Sequence, residues 1–174
     1  LGSNIAMMLA RAGVSSLVIA DHDVVDISNI NRQNYYLEQI GKAKTDASEE
    51  LLKAVNPYIA IVKHCVKLDP SNIPGIFGGC DIVCEAFDVP SEKAMFINTM
   101  LEECPGIKIV AGSGMAGFGR SNEIRTEKLF ADLYLCGDGI DMEEAEGGLM
   151  SPRVNICAGH MANTVIALLM KGDV

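Results

Sequence analysis

The run Asp21–Gln33, DHDVVDISNINRQ, carries more polar and charged residues than a turn between a strand and a helix needs. Within it Asn29 and Gln33 offer amide donors and Arg32 a guanidinium fork, and Lys44 adds a mobile point charge a short way on. Two cations near one site favour polyphosphate. At roughly 4 Å and an effective dielectric near 20, each such contact is worth on the order of 4 kcal/mol before desolvation, enough to organise a triphosphate. A hydride-transferring enzyme has no such need.

A nucleotide-binding strand–helix unit places glycine where the strand gives way to the helix, so that backbone N–H groups and the helix N-terminus can approach phosphate. Leu1-Gly2-Ser3 stands at that place, and Asp21 lies 19 residues after Gly2, the spacing at which an acidic residue ending the second strand binds ribose hydroxyls. The same residues also fit plainer roles. Gly2 can simply open a helix, Asp21 begin a turn, Asn29 and Gln33 satisfy loop backbone, and Lys44 sit solvated on a helix.

The elements that must position these groups alternate. Helical apolar spacing runs from Ser3 to Ala12 and stops at Gly13, followed by a strand-length apolar run at Ser16–Ala20. A helix is expected at Lys42–Val55, a strand at Ile59–His64, a helical turn at Ser71–Phe77 and a strand at Asp81–Ala86. Pro90 opens a helix running to Glu103, and Ile107–Ala111 is again strand-like. Such alternation predicts an α/β fold with a Rossmann-like, mostly parallel sheet flanked by helices. After Ala111 the parallel part is expected to be finished, with an antiparallel strand near Glu123–Thr126. The acidic, glycine-rich stretch Cys136–Gly148 reads as a mobile loop, and Pro152–Met170 as a buried helix. A first strand in this architecture lies centrally, so the expectation is a chain truncated at its N-terminus, with a strand and a further Gly-x-Gly before Leu1.

A chain of 174 residues, 49% hydrophobic, buries one sizeable core, so residues 1–174 are read as a single domain. The net charge of −9 repels phosphate backbones and anionic membranes, and no basic patch offsets it, so neither nucleic acid nor membrane is an expected partner. Arg153, Asn155, His160 and Asn163 interrupt the longest apolar run, which argues against a membrane span. Six cysteines (65, 80, 84, 104, 136 and 157) form no C-x-x-C pair, so they read as reduced core thiols of a cytoplasmic protein, and zinc is not expected.

The combination D-x-D-x-V-x-x-S-N-x-x-R-Q, followed by G-x-x-K at Gly41–Lys44, resembles the nucleotide-site signature of the ThiF/MoeB/HesA family, which includes the ubiquitin-activating enzymes. The segment DIVCEAFDVPSEK around Asp88 and the final MSPRVNICAGHMANTVIALLMKG are also similar to that family, so the resemblance covers essentially the whole chain. It implies ATP-dependent adenylation of the C-terminal glycine carboxylate of a ubiquitin-like sulfur-carrier protein with a Gly-Gly tail, by a homodimer. It further implies that Gly2 lies beside the nucleotide, Asp21 binds ribose, and Asn29, Arg32, Gln33 and Lys44 contact phosphates. Asp88 would position Mg²⁺, its plainer alternative being a cap on the helix at Pro90; Arg32, Lys44 and Asp88 carry the catalysis. Stretch 136–148 would lie over the channel for the carrier tail. The chain lacks the two C-x-x-C pairs of zinc-holding relatives and any cysteine in MEEAEGGLMSP, which makes it similar to the short thiamine-biosynthesis members. Two other readings compete. An NAD-dependent oxidoreductase would use Gly2 and Asp21 but gives no role to Arg32, Lys44 and Asp88, and a catalytically silent carrier-binding subunit would not need them.

Overall fold

Strand β4 (Lys108–Gly112) shows how the sequence builds the layers, because its apolar residues alternate between two cores. Ile109 and Ala111 pack against helices α3 (Ile73–Phe77) and α4 (Pro90–Glu103), through Ile73, Phe96 and Met100. Val110 faces the other way, onto helices α1 (Gly2–Arg11) and α5 (Ser151–Lys171), through Ile5, Leu9, Met161 and Val165. Side chains alternate across a strand, so a run of unbroken apolar residues is the pattern of a strand covered on both faces. Each of these buried side chains larger than alanine contributes about 1.5–3 kcal/mol through removal from water.

The computed structural model describes residues 1–130, 132–140 and 145–172. Strand β1 (Ser16–Ala20) pairs in parallel with β2 (Ala60–His64), Leu17 opposite Ile61. Helix α2 (Lys44–Val55) covers this pair with α1, burying Ala10, Leu52 and Ile59 together. A second sheet has the order β3–β4–β6–β5, with β3 at Ile82–Glu85, β5 at Arg125–Phe130 and β6 at Leu133–Gly137. The α/β class and the flanking helices agree with the sequence reading, and α4 and β1 have the expected bounds.

Two expectations need correction. The parallel part does not end at Ala111, because β6 pairs with β4 in parallel, Ile109 opposite Leu133 and Gly112 opposite Cys136. Among the described strands β5 alone is antiparallel; it runs at the sheet edge beside β6, longer than the expected 123–126. Cys136 is therefore a buried strand residue and not the start of a loop. The run LYLCG is short and leads straight into an acidic glycine-rich stretch, so its composition merges with the loop, whereas pairing with β4 rewards it with a buried place. The part of the expected mobile loop at 141–144 lies outside the described residues.

The two glycines that cross between β4 and β6 are required by space. Gly114 has φ +72°, and a Cβ there would overlap the Gly139–Ile140 backbone; a Cβ on Gly137 would overlap the Ser113 carbonyl oxygen. This close approach is fastened by the buried ion pair of Arg153 and Asp138, whose side chains are 2% and 4% exposed. Arg153 also donates to the carbonyls of Gly119 (3.1 Å) and Arg120 (2.8 Å). Its Nε is buried with no partner among the described residues.

Candidate functional site

The candidate residues collect at the carboxyl ends of the parallel strands, where open α/β sheets leave a crevice for ligands. Asp21 directly follows β1, Asp88 follows β3, and the first turn of α1 packs there too: a Cβ on Gly2 would lie 3.4 Å from that of Ala86. That is ordinary van der Waals contact, so the protein itself does not demand glycine at position 2.

The loop after β1 is built by its own polar residues. Asp26 caps the turn Ile27–Asn29, accepting from the Ser28 amide at 2.8 Å, while Asn29 Oδ1 accepts from the Asp26 amide at 3.0 Å. The Asn29 carbonyl accepts from the amides of Arg32 (3.1 Å) and Gln33 (2.9 Å). Asn29 thus shapes the turn that presents the next two candidates. The turn is bolted to the start of α1: buried Asn4 donates to the Arg32 carbonyl at 2.8 Å, and Ser3 Oγ accepts from the Asn34 amide at 3.0 Å. The Arg32 guanidinium donates to the Ser28 carbonyl and to Asn31 Oδ1, and among the described residues it has no carboxylate partner.

Lys44 opens α2, and its side chain is 12% exposed. Its Nζ lies 2.7 Å from Asp23 Oδ2 and 3.9 Å from Asp21 Oδ2, and its amide donates to the Asp23 carbonyl at 2.9 Å. Asp21 Oδ1 in turn accepts from the Asp23 amide at 2.9 Å. Burial pushes the Asp21 carboxyl above its ordinary range against the pull of that amide and of Lys44, whereas the Lys44 bond holds Asp23 below it. Asp21, His22 and Asp23 bring ligand atoms within 4.8 Å of one another, but the Lys44 ammonium already supplies the cation between the two carboxylates.

Asp88 is exposed and has no ion-pair partner among the described residues. It does not cap α4, whose N-cap is Val89 with no side-chain cap bond. The set meets at the first turn of α1, where Asn4 holds the Arg32 carbonyl and Gly2 lies against Ala86, two residues before Asp88, while Lys44 joins the same edge through Asp21 and Asp23 after β1. An exposed carboxylate at this edge suits Mg²⁺, which takes one or two carboxylates and fills its remaining positions with phosphate oxygens and water. Gln33, half-buried, is carried on the same turn through its amide.

Sequence reasoning missed Asn4, Asp23, Glu85 and Lys93. Asp23 lies inside the quoted motif, and the one signal for Glu85 is a charge near the end of an otherwise apolar strand-length run. Glu85 is wholly buried; burial pushes its carboxyl up, against the pull of Lys93, with which it forms an ion pair. The buried thiol of Cys157 donates to the Cys136 carbonyl at 3.2 Å, and burial pushes it up to about 12, which leaves no thiolate for nucleophilic work. A cavity of about 410 Å³ opens at the opposite end of the sheet, between the starts of β3 and β4 and the end of α5, away from all of these groups.

The sequence model described as "ThiF family" matches residues 1–173. The adenylyltransferase and sulfurtransferase UBA4 of Candida glabrata is 27% identical over 177 residues, covering 98% of this chain and 40% of the relative. Its counterpart in Ogataea parapolymorpha is 33% identical over 175 residues, covering 97% of this chain and 44% of that protein. The chain thus spans about two fifths of the length of these curated relatives. In fold it matches the ATP complex of the E. coli tRNA N6-threonylcarbamoyladenosine dehydratase TcdA, with a TM-score of 0.88 over 99% of this chain and 82% of that one, at 19% identity.

Proposed function

The chain belongs to the ThiF family, and from that premise we propose that it binds ATP and adenylates the C-terminal glycine carboxylate of a ubiquitin-like sulfur-carrier protein. The observation that carries the reading is the position of Arg32, Lys44 and Asp88 at the carboxyl edge of the parallel strands, where the first turn of α1 holds the Arg32 turn through Asn4 and packs against Ala86. Two cations, a helix N-terminus and one exposed carboxylate are the parts a metal-bound triphosphate needs, and a dinucleotide site needs fewer.

In this reading the amides at the start of α1 and the Arg32 fork hold the phosphates, with glycine at position 2 leaving room for close approach. Asp21 accepts from the ribose hydroxyls. Lys44, released in part from Asp23, neutralises charge near the α-phosphorus as the carrier's carboxylate attacks and pyrophosphate leaves. Asn29 acts through the turn it shapes, and Gln33 donates from it. Mg²⁺, when bound, neutralises the charge that develops on the phosphate oxygens. Asp88 would hold that ion. Most of the acceleration comes from positioning and electrostatics, as in phosphoryl transfer.

The carrier's pathway is the finer part of the proposal. Assignment to thiamine biosynthesis rests on resemblance to the short members without C-x-x-C pairs, and a homodimer and a cytoplasmic location rest on family resemblance and cysteine usage. Incubating the full-length protein with Mg-ATP and a panel of Gly-Gly-ended carriers tests both levels by mass spectrometry. The carrier–AMP adduct need not be stable if pyrophosphate exchange is followed in parallel. Tight NAD binding with no response to ATP would sink the adenylation reading. Adduct formation only on a carrier from another pathway would overturn the thiamine assignment alone.

A further inference from the structure

Glu85 is a carboxylate placed where the fold calls for a hydrophobe. It ends β3 two residues after Val83 and so lies on the same face, in the layer shared with Phe96 and Met100. A charge there is tolerated only when its oxygens are used. Oε1 accepts from the Phe87 amide at 2.6 Å, and Oε2 pairs with Lys93 Nζ from the first turns of α4.

Those bonds bracket Asp88. Phe87, before it, is held by its amide on Glu85 and by its ring on Phe96, with centroids 5.8 Å apart. Val89, after it, is held through its carbonyl, which accepts from the Lys93 amide at 3.0 Å. Phe87 is thus tied directly to the Glu85 carboxylate, and Val89 opens the helical turn that carries Lys93, while the Asp88 side chain is exposed. An apolar pair of the same volume would commonly be as stable as a buried ion pair or more so. Stability is therefore no sufficient reason for a charge at this point.

We propose that Glu85 and Lys93 are positioning residues that fix the loop 86–89 and so hold the Asp88 carboxylate for a divalent cation at the carboxyl edge of the sheet. This rests on the adenylation reading, which places Mg-ATP there. Outer groups that orient a metal ligand commonly govern affinity by about 10–100-fold.

The test is calorimetric titration of the full-length protein with ATP over a series of Mg²⁺ concentrations, with melting temperature recorded for each variant. Glu85→Gln and Lys93→Met should raise the Mg²⁺ needed for half of its effect on ATP binding at least about tenfold, and Lys93→Arg should restore it. The double variant E85M/K93L refills the layer with apolar volume. It should melt close to wild type and still lose the coupling between Mg²⁺ and ATP, which a purely structural pair would not do. If the wild type binds no ATP, the adenylation reading falls and this inference with it. If the wild type binds Mg-ATP and E85M/K93L responds to Mg²⁺ as the wild type does, the positioning role alone is overturned.

Discussion

Asp88 and Glu85 stand three residues apart and obey opposite physics. Glu85 is buried with its oxygens engaged, whereas Asp88 is exposed and leaves α4 uncapped. Removing Asp88 should therefore cost less than about 0.5 kcal/mol of stability, as for an ordinary surface position. In the proposed reaction the same change removes the carboxylate that orients the metal, so Asp88→Ala should lower carrier-dependent ATP–pyrophosphate exchange at least about a hundredfold. Near-normal exchange would reject the assignment. Lys44 poses a different question, since Asp21 and Asp23 already use its charge. Lys44→Met should weaken ATP binding at least about tenfold in a calorimetric titration, and it leaves two neighbouring carboxylates without their cation.

At the scale of the element, the join between β4, β6 and α5 hangs on Arg153 and Asp138. Truncating one partner strands a buried charge, so Arg153→Met should destabilise by about 3–5 kcal/mol in a denaturant titration. The pH dependence follows from the direction of the Asp138 shift. Burial pushes its carboxyl up, but the Arg153 bond and the Ile140 amide outweigh that and hold it below the ordinary range. A depressed folded pKa stabilises at pH above the unfolded carboxylate value, about 3.9, and the contribution fades as pH falls through the folded value. Wild-type melting temperature should drop on acidification below about pH 4. Asp138→Asn should be less stable at neutral pH and show a shallower acid decline. An unchanged acid limb in that variant would remove Asp138 from the account. Gly114→Ala belongs to the same join, and its Cβ would overlap the Gly139–Ile140 backbone. It should cost more than the roughly 1 kcal/mol of an ordinary glycine replacement.

Across the whole molecule the charges are uneven. The net charge is −9, yet Arg32 and Lys44 both lie at the carboxyl edge of the parallel strands, on the turn after β1 and at the start of α2. A small polyanion reaches such a spot, while a long one meets repulsion over the rest of its length. Filter binding at physiological salt should accordingly detect no association with tRNA. Micromolar binding would favour a tRNA acceptor over a protein carrier. No helix among the described residues is long and apolar enough to cross a membrane.

Residue order alone was sufficient for the α/β class, most element positions and the polar loop at Asp21–Gln33, because these follow from local periodicity, caps and turn residues. The bounds of α4, for instance, are set by Pro90 at its first turn and by the close of apolar spacing at Glu103. Local pattern could not assign LYLCG to a parallel strand, since partner and direction are chosen by the open edge of β4. Nor could it pair Glu85 with Lys93 or Arg153 with Asp138, where burial makes a charge seek whatever opposite charge the packing brings near. The meeting of Arg32, Lys44 and Asp88 is tertiary for the same reason. They lie on a turn, a helix start and the loop after a strand, and only stacking those elements puts them at one edge of the sheet, beside the first turn of α1.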